Sequence, residues 1–144
     1  MTPDEARQRF GQSRVAYLGT ADAAGIPHLV PITFAVAGDV IVTAVDAKPK
    51  RVGTLRRLAN ITGNPRVSVL VDRYDEDWTR LWWVRADGVA RVVIGGADLD
   101  DSVARLRERY PQYRTVRITG PVIMIEVVRW SGWNASADEA SDDA

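Results

Sequence analysis

Apolar and polar positions alternate along most of this chain, in short blocks. Arg14–Thr20 (RVAYLGT), His28–Val36 (HLVPITFAV), Val40–Val45, Arg66–Asp72 (RVSVLVD) and the longer Arg80–Ile94 are rich in β-branched and aromatic residues. That is the pattern of half-buried strands. Pro121–Trp130 (PVIMIEVVRW) adds a last one. Pro31 removes a backbone donor from the second block and predicts an edge or a bulge there. Ala86-Asp87-Gly88 predicts a bulge or bend in the long strand. Ala21–Pro27 reads as a turn, Ala37-Gly38-Asp39 as a hairpin turn and Tyr74–Thr79 as a polar loop.

Three stretches change to a helical period. Thr2-Pro3-Asp4-Glu5 is a helix start, with Thr2 and Glu5 spaced as a capping box and Pro3 at the first helical position. This helix is expected to reach about Gly11. Val52, Leu55, Leu58, Ala59 and Thr62 share one face of a helix over 51–62, stopped by Asn64-Pro65. Leu99, Val103, Leu106 and Tyr110 share a face over Ala97–Tyr110. Tyr113–Thr119 has no clear period. Six or seven strands with a few short helices predict a β-rich α+β domain, built as a barrel or a sandwich.

The 144 residues suit one domain, and 46 % hydrophobic content supports a core. The chain has no cysteine, which excludes disulfides, thiolate metal sites and a cysteine nucleophile. No apolar run approaches the ~18–20 residues of a membrane span, and MTPDEARQRF has no signal-peptide core. A cytoplasmic protein is the expectation. The formal net charge is zero, but Ala135–Ala144 holds four acidic residues and no basic one. Without them the body carries 19 basic against 15 acidic residues. Residues 1–134 are therefore the expected folded domain, and 135–144 an acidic, disordered tail.

The balance also hides a basic run. Lys48, Lys50, Arg51, Arg56 and Arg57 fall within ten residues, where the third strand gives way to a helix. A helix start exposes unpaired N–H groups and partial positive charge, so this junction suits an anion. The bland alternative is a solvated helix face. His28 is the single histidine. Alone it makes no zinc site, and a strand histidine with one hydrogen bond is the simpler reading. If His28, Val30 and Ile32 share one face of their strand, Leu29, Pro31 and Thr33 share the other. Trp82 and Trp83 are adjacent in a strand and point to opposite faces, so one leaves the local core. No GxGxxG, Walker loop, nucleophile elbow or metal-ligand spacing is present. An enzyme built this way relies on a cofactor.

The order LGTADAAGIPHLVPITFAVAGD, a strand, KPKR…LRRLANITGNPRVSVLVD and WWVRADGVARVV resembles the pyridoxamine 5′-phosphate oxidase-like split β-barrel family. The spacing is most similar to its actinobacterial branch, which uses the deazaflavin coenzyme F420 in place of a flavin. The resemblance implies a split β-barrel and a homodimer with two cofactor sites between subunits. It implies phosphate and tail contacts from Lys50, Arg51, Thr54, Arg57 and Asn60, with Lys48 and Arg56 nearby. It places His28, Pro31 and Thr33 on the strand beneath the ring, and Trp78, Trp82 and Trp83 in the region that the partner subunit offers to the site. The chain departs from the commoner pattern by extra residues between the basic turn and Asn60. The implied activity is hydride transfer between coenzyme F420 and a small unsaturated or conjugated substrate. Tyr17 and Tyr74 are candidate proton donors. The alternatives are an FMN-dependent oxidase or reductase and a haem or cofactor carrier without turnover. Nucleic acid and membrane are not expected partners.

Overall fold

The computed structural model describes residues 1–45 and 52–137. Helix α1 (Pro3–Gln12) opens with the capping box: Glu5 N–H donates to Thr2 Oγ1 (3.2 Å) and Thr2 N–H to Glu5 Oε2 (3.1 Å). Among the described residues the strands are β1 (Ala16–Ala21), β2 (Pro27–Ile32), β3 (Ala35–Ala37), β4 (Val40–Ala44), β5 (Arg66–Arg73), β6 (Trp82–Val93) and β7 (Val122–Asn134). Helix α2 (Val52–Gly63) follows β4, and α3 (Ala97–Arg109) follows β6. All seven strands pair antiparallel in one sheet, in the order β2-β1-β5-β6-β7-β4-β3.

That order fixes the shape. β2 and β3 lie at opposite edges of the sheet, yet only Thr33 and Phe34 separate them in the chain. The three Cα steps from Ile32 to Ala35 span at most ~11 Å, so the sheet curls until its edges approach, as in a split barrel. The sequence reading of His28–Val36 as one strand is corrected here. Its two halves pair with different neighbours, β2 with β1 and β3 with β4. Thr33 and Phe34, outside the ladder, need other partners for their backbone groups. Thr43 Oγ1 donates to Thr33 C=O (2.7 Å), and Phe34 N–H donates to the Tyr110 hydroxyl (3.1 Å). Tyr110 in turn donates to Arg14 C=O (2.9 Å).

Three further boundaries differ from the sequence reading. The long strand begins at Trp82, because Trp78–Arg80 forms a 3₁₀ turn capped by Asp77. The last strand runs four residues past Trp130, paired to β6 as far as Trp82↔Asn134. Ordered backbone continues through Ala137 in a 3₁₀ turn, with Ala135 N–H on Leu81 C=O (3.0 Å). The acidic residues expected in the tail lie outside the described residues. The expected bulge is present, as a register shift at Asp87/Gly88.

The barrel interior is filled by Leu18, Phe34, Ile41, Val69, Val71, Val84, Ile123 and Ile125, all fully buried. Ala6 and Phe10, one helical turn apart on α1, close one end; Phe10 meets Phe34 and Trp130 edge-on at 5.0 and 5.3 Å. A second cluster packs Leu106 and Tyr110 against Ala35, Val42 and Val122. Arg109 lies over the rings of Phe34 (4.7 Å) and Tyr110 (5.4 Å) and donates to Ser13 C=O. Burial pushes the pKa of its guanidinium below the ordinary arginine value, and the group stays charged at any physiological pH. No helix among the described residues is long and apolar enough to cross a membrane.

Candidate functional site

Strand alternation sorts the side chains of β1, β2 and β5 into two sets. Ala16, Leu18, Ile32, Val67, Val69 and Val71 are buried, whereas Tyr17, Leu29, Pro31, Arg66 and Leu70 are exposed on the other face. Register lines the exposed set into rows: Pro31–Tyr17–Leu70–Arg85 and Leu29–Gly19–Ser68–Asp87. Two hollows lie along this outer face.

The first, about 620 Å³, is walled by Gly19, Thr20, His28, Leu29, Ser68 and Asp87, with Arg66 and Val128 at its margin. Its floor is polar. Ser68 Oγ donates to Asp87 Oδ1 (2.6 Å), and Arg85 Nε pairs with Asp87 Oδ2 (3.2 Å). His28 is half-buried here, and its Nδ1 is sealed from solvent without a hydrogen-bond partner. By strand alternation its side chain lies on the face of Val30 and Ile32, opposite the Leu29–Gly19–Ser68–Asp87 row, so the hollow adjoins His28 at the strand itself. Gly19 leaves room: a Cβ built on it would meet nothing closer than Leu29 Cδ2 at 3.4 Å.

The second hollow, about 410 Å³, lies at the other end of β5. Leu70, Tyr74, Leu81, Trp82, Trp83 and Trp133 give it an aromatic lining, with Asp72, Arg73 and Arg85 at the polar positions. Trp83 faces Trp133 across the β6–β7 ladder, and Arg85 lies 5.8 Å from the Trp83 ring. The Arg9 guanidinium stands 5.4 Å from the Trp82 ring. The neighbouring loop is self-bonded. Asp77 Oδ1 accepts from the Thr79 hydroxyl (2.7 Å) and N–H (3.1 Å), which holds its carboxyl below the usual 3.8.

The site residues expected from the sequence are dispersed differently. His28 and Pro31 are on opposite faces of β2, so a flat ligand on one face meets only one of them. Thr33 sits five residues beyond His28, about 17 Å along an extended chain. Its hydroxyl is bonded to the Tyr113 hydroxyl (2.7 Å) in the joint between β2 and β3. Lys48, Lys50 and Arg51 lie outside the described residues, as does the side chain of Thr54. Arg56 is exposed and Arg57 half-buried on α2. Asn60 is buried, with Nδ2 donating to Thr20 Oγ1 (3.0 Å). Trp82 and Trp83 line the aromatic hollow. Trp78 is 67 % exposed, and its indole donates to the hydroxyl of Tyr74 (3.3 Å), itself a wall of that hollow. Tyr17 stands on the outer face between the two hollows.

Sequence reasoning missed Trp133, Arg66, Ser68 and Asp87. Trp133 went unplaced because the last strand was ended at Trp130. Arg66 and Ser68 carried a signal, since polar residues alternate with Val67 and Val69 in RVSVLVD. Among the described residues no cluster of three His, Asp or Glu side chains is set to hold a metal ion.

The fold recurs among solved structures. A conserved hypothetical protein from Mycobacterium tuberculosis is 25 % identical, covers 100 % of this chain and 93 % of its own, and superposes with a TM-score of 0.73. A FAD-binding protein from Mesorhizobium loti is 20 % identical over 92 % of each chain, TM-score 0.71. The heme storage protein of Vibrio cholerae is 18 % identical over 91 % of this chain and 90 % of its own, TM-score 0.64. No curated protein matches the chain. The pyridoxamine 5′-phosphate oxidase model matches residues 2–134, which spans every strand and helix of the barrel, and the chain belongs to that family.

Proposed function

We propose that this protein is a homodimeric, coenzyme F420-dependent reductase of small unsaturated or conjugated compounds. The observation that carries the reading is the hollow beside His28, walled by Thr20, whose hydroxyl is tied to the basic helix α2. A flat ring fits a hollow of about 620 Å³ floored by strand backbone at Gly19. Arg56, Arg57 and the basic residues just before them in sequence supply the charge for a phosphate. When bound, the deazaflavin supplies a hydride, and a proton completes the reduction. The protein's own work is to orient the ring, hold the substrate against it and keep water out.

In this reading the aromatic hollow takes the substrate, and the outer face around it the partner subunit. Trp83 and Trp133, cross-strand neighbours, offer a stacking surface for a conjugated molecule. Tyr17, Leu29, Leu70, Val89 and Val128 are 42, 71, 37, 44 and 75 % exposed along the same outer face. A second copy covering that face would bring the aromatic hollow of one subunit toward the His28 hollow of the other.

Parallel fluorescence titrations with coenzyme F420 and FMN test the assignment. Saturable quenching of F420 in the low-micromolar range or below, weakened by salt and stronger than FMN binding, is the expected result. Tight FMN binding without F420 binding transfers the site to a flavin. That second reading draws on the family and on a relative that binds FAD. A carrier role draws on His28, the single imidazole in the chain, and on a relative that stores heme. Reduced coenzyme F420 incubated with enones and quinones separates the enzyme from the carrier, because a carrier oxidises none of it.

A further inference from the structure

Trp83, Arg85 and Asp87 are successive outward residues of β6, with Val84 and Ala86 buried between them. They run from one hollow to the other: Trp83 and Arg85 line the aromatic one, and Asp87 walls the one beside His28. We propose that the aromatic hollow selects planar conjugated compounds that carry a carboxylate, with the Arg85 guanidinium as the group that binds the anion and Asp87 as the positioning residue that orients it. The inference deepens, and rests on, the reading of this hollow as the substrate site.

The Arg85 guanidinium is committed at its base. Its Nε donates to Asp87 Oδ2 at 3.2 Å, and its carbon stands 5.8 Å from the centre of the Trp83 ring. Among the described residues no hydrogen bond or ion pair uses Nη1 or Nη2 of Arg85. Both remain to donate in parallel to the two oxygens of a carboxylate. Asp87 is held in turn, because Ser68 Oγ donates to its other oxygen at 2.6 Å. The Arg85 and Asp87 side chains are 35 and 33 % exposed, so the pair is partly shielded from water yet within reach of a ligand. Asp87 does not cancel the cation by itself. Arg129 faces it across the β6–β7 ladder, which sets one carboxylate between two guanidinium groups. Around the anion site the hollow is flat and apolar. Trp83 and Trp133 face each other across the ladder, and Leu70 is the register partner of Arg85 on β5. A carboxylate conjugated with a planar frame lies in the plane of that frame, so stacking on Trp83 brings it beside the guanidinium. Asp72 stands opposite Trp83 on the same outward row, whereas Arg73 takes the alternate position opposite Trp82. An anion is thus repelled from the Asp72 side and drawn to Arg85.

The test is calorimetric titration of the full chain with trans-cinnamate, its methyl ester and cinnamamide, which share one planar conjugated frame. No cofactor is added, so a failure of the deazaflavin assignment leaves the measurement standing. Cinnamate is expected to bind about tenfold more tightly than either neutral compound, with the preference falling as salt is added. Arg85→Gln should bring the acid-to-ester ratio down to about one. Arg85→Lys keeps the charge but loses the fork, should lower the ratio about threefold, and carries the measurement if Arg85→Gln fails to fold. Trp83→Leu should weaken acid and ester alike. Asp87→Ala separates positioning from bare charge. Coulomb's law alone has the anion bind more tightly once a neighbouring carboxylate is gone, whereas loss of orientation weakens it. A ratio lowered about threefold is expected, and a raised one would refute the positioning role of Asp87. Each ratio is taken within one variant, so a partly unfolded preparation lowers both affinities together. Equal binding of cinnamate and its ester to the wild-type protein would overturn the proposal and leave the hollow to neutral substrates. A preference that survives both Arg85 variants would put the anion elsewhere and also overturn it. Binding of none of the three compounds would remove the substrate reading of the hollow together with the proposal.

Discussion

The hydroxyl of Tyr110 accepts from Phe34 N–H, at the joint between β2 and β3, and donates to Arg14 C=O. Tyr110→Phe removes both bonds and leaves two backbone groups unpaired near a side chain that is 7 % exposed. The expected cost is about 2–4 kcal/mol, read as a lower urea midpoint at unchanged slope. Gly88 is constrained differently. A Cβ there would run into the Glu126 carbonyl oxygen and approach Ile125 Cγ2 to 2.9 Å, and the obstacle is backbone of the paired strand. Gly88→Ala is expected to lose about 1–3 kcal/mol in the same assay, whereas Gly95→Ala, which meets nothing, should lose far less. At this scale the sequence was informative where chemistry is local. Thr2 and Glu5 announce their capping box by spacing alone. Asn60 and Thr20 are forty residues apart, and no local rule joins them. The resemblance puts Thr33 beneath a cofactor ring; in the fold its hydroxyl meets that of Tyr113, eighty residues away.

Elements were legible in kind and less so in extent. Period and turn chemistry placed α1, α3 and β5 to within a residue or two. The second strand was misjudged because its hydrophobic pattern is continuous through Thr33 and Phe34, and only pairing tells that its halves belong to opposite sheet edges. The loop before β6 illustrates the same limit. Trp78–Arg80 is held in a 3₁₀ turn by the Asp77 carboxylate, which accepts from the hydroxyl and the N–H of Thr79. Those bonds favour the ionised form, so the folded pKa lies below 3.8. Their stabilising effect is complete above that value and is lost as pH falls through the lowered folded pKa. Because the turn carries Trp78 at the rim of the aromatic hollow, its fluorescence should hold steady down to about pH 4 and change below it. Asp77→Asn should remove most of that acid-dependent step.

At the scale of the whole molecule, closure of the barrel buries one face of the sheet and leaves the other as a mixed apolar and charged surface. The element order GIPHLVP, basic turn and NPRVS was enough to place the chain in its family. What lies across the outer face has no signature in a single strand, because it arises from rows that register assembles from β2, β1, β5 and β6. Tyr17 is at the centre of one row, flanked by Pro31 and Leu70. It lies between the two hollows and in neither lining, so a change there tests the face without removing a wall of the site. Substituting Tyr17 by Glu on a solvent-exposed face should alter the stability of a lone subunit little. On a face covered by a second copy, the two-fold axis would bury the new carboxylate among apolar neighbours, at a cost large enough to split the assembly. Sedimentation equilibrium should therefore find the wild-type protein at about twice the 15.9 kDa chain mass and Tyr17→Glu at the chain mass itself. A wild-type protein that sediments as a 15.9 kDa monomer at tens of micromolar would leave the outer face to solvent and require each hollow to bind its ligand unaided.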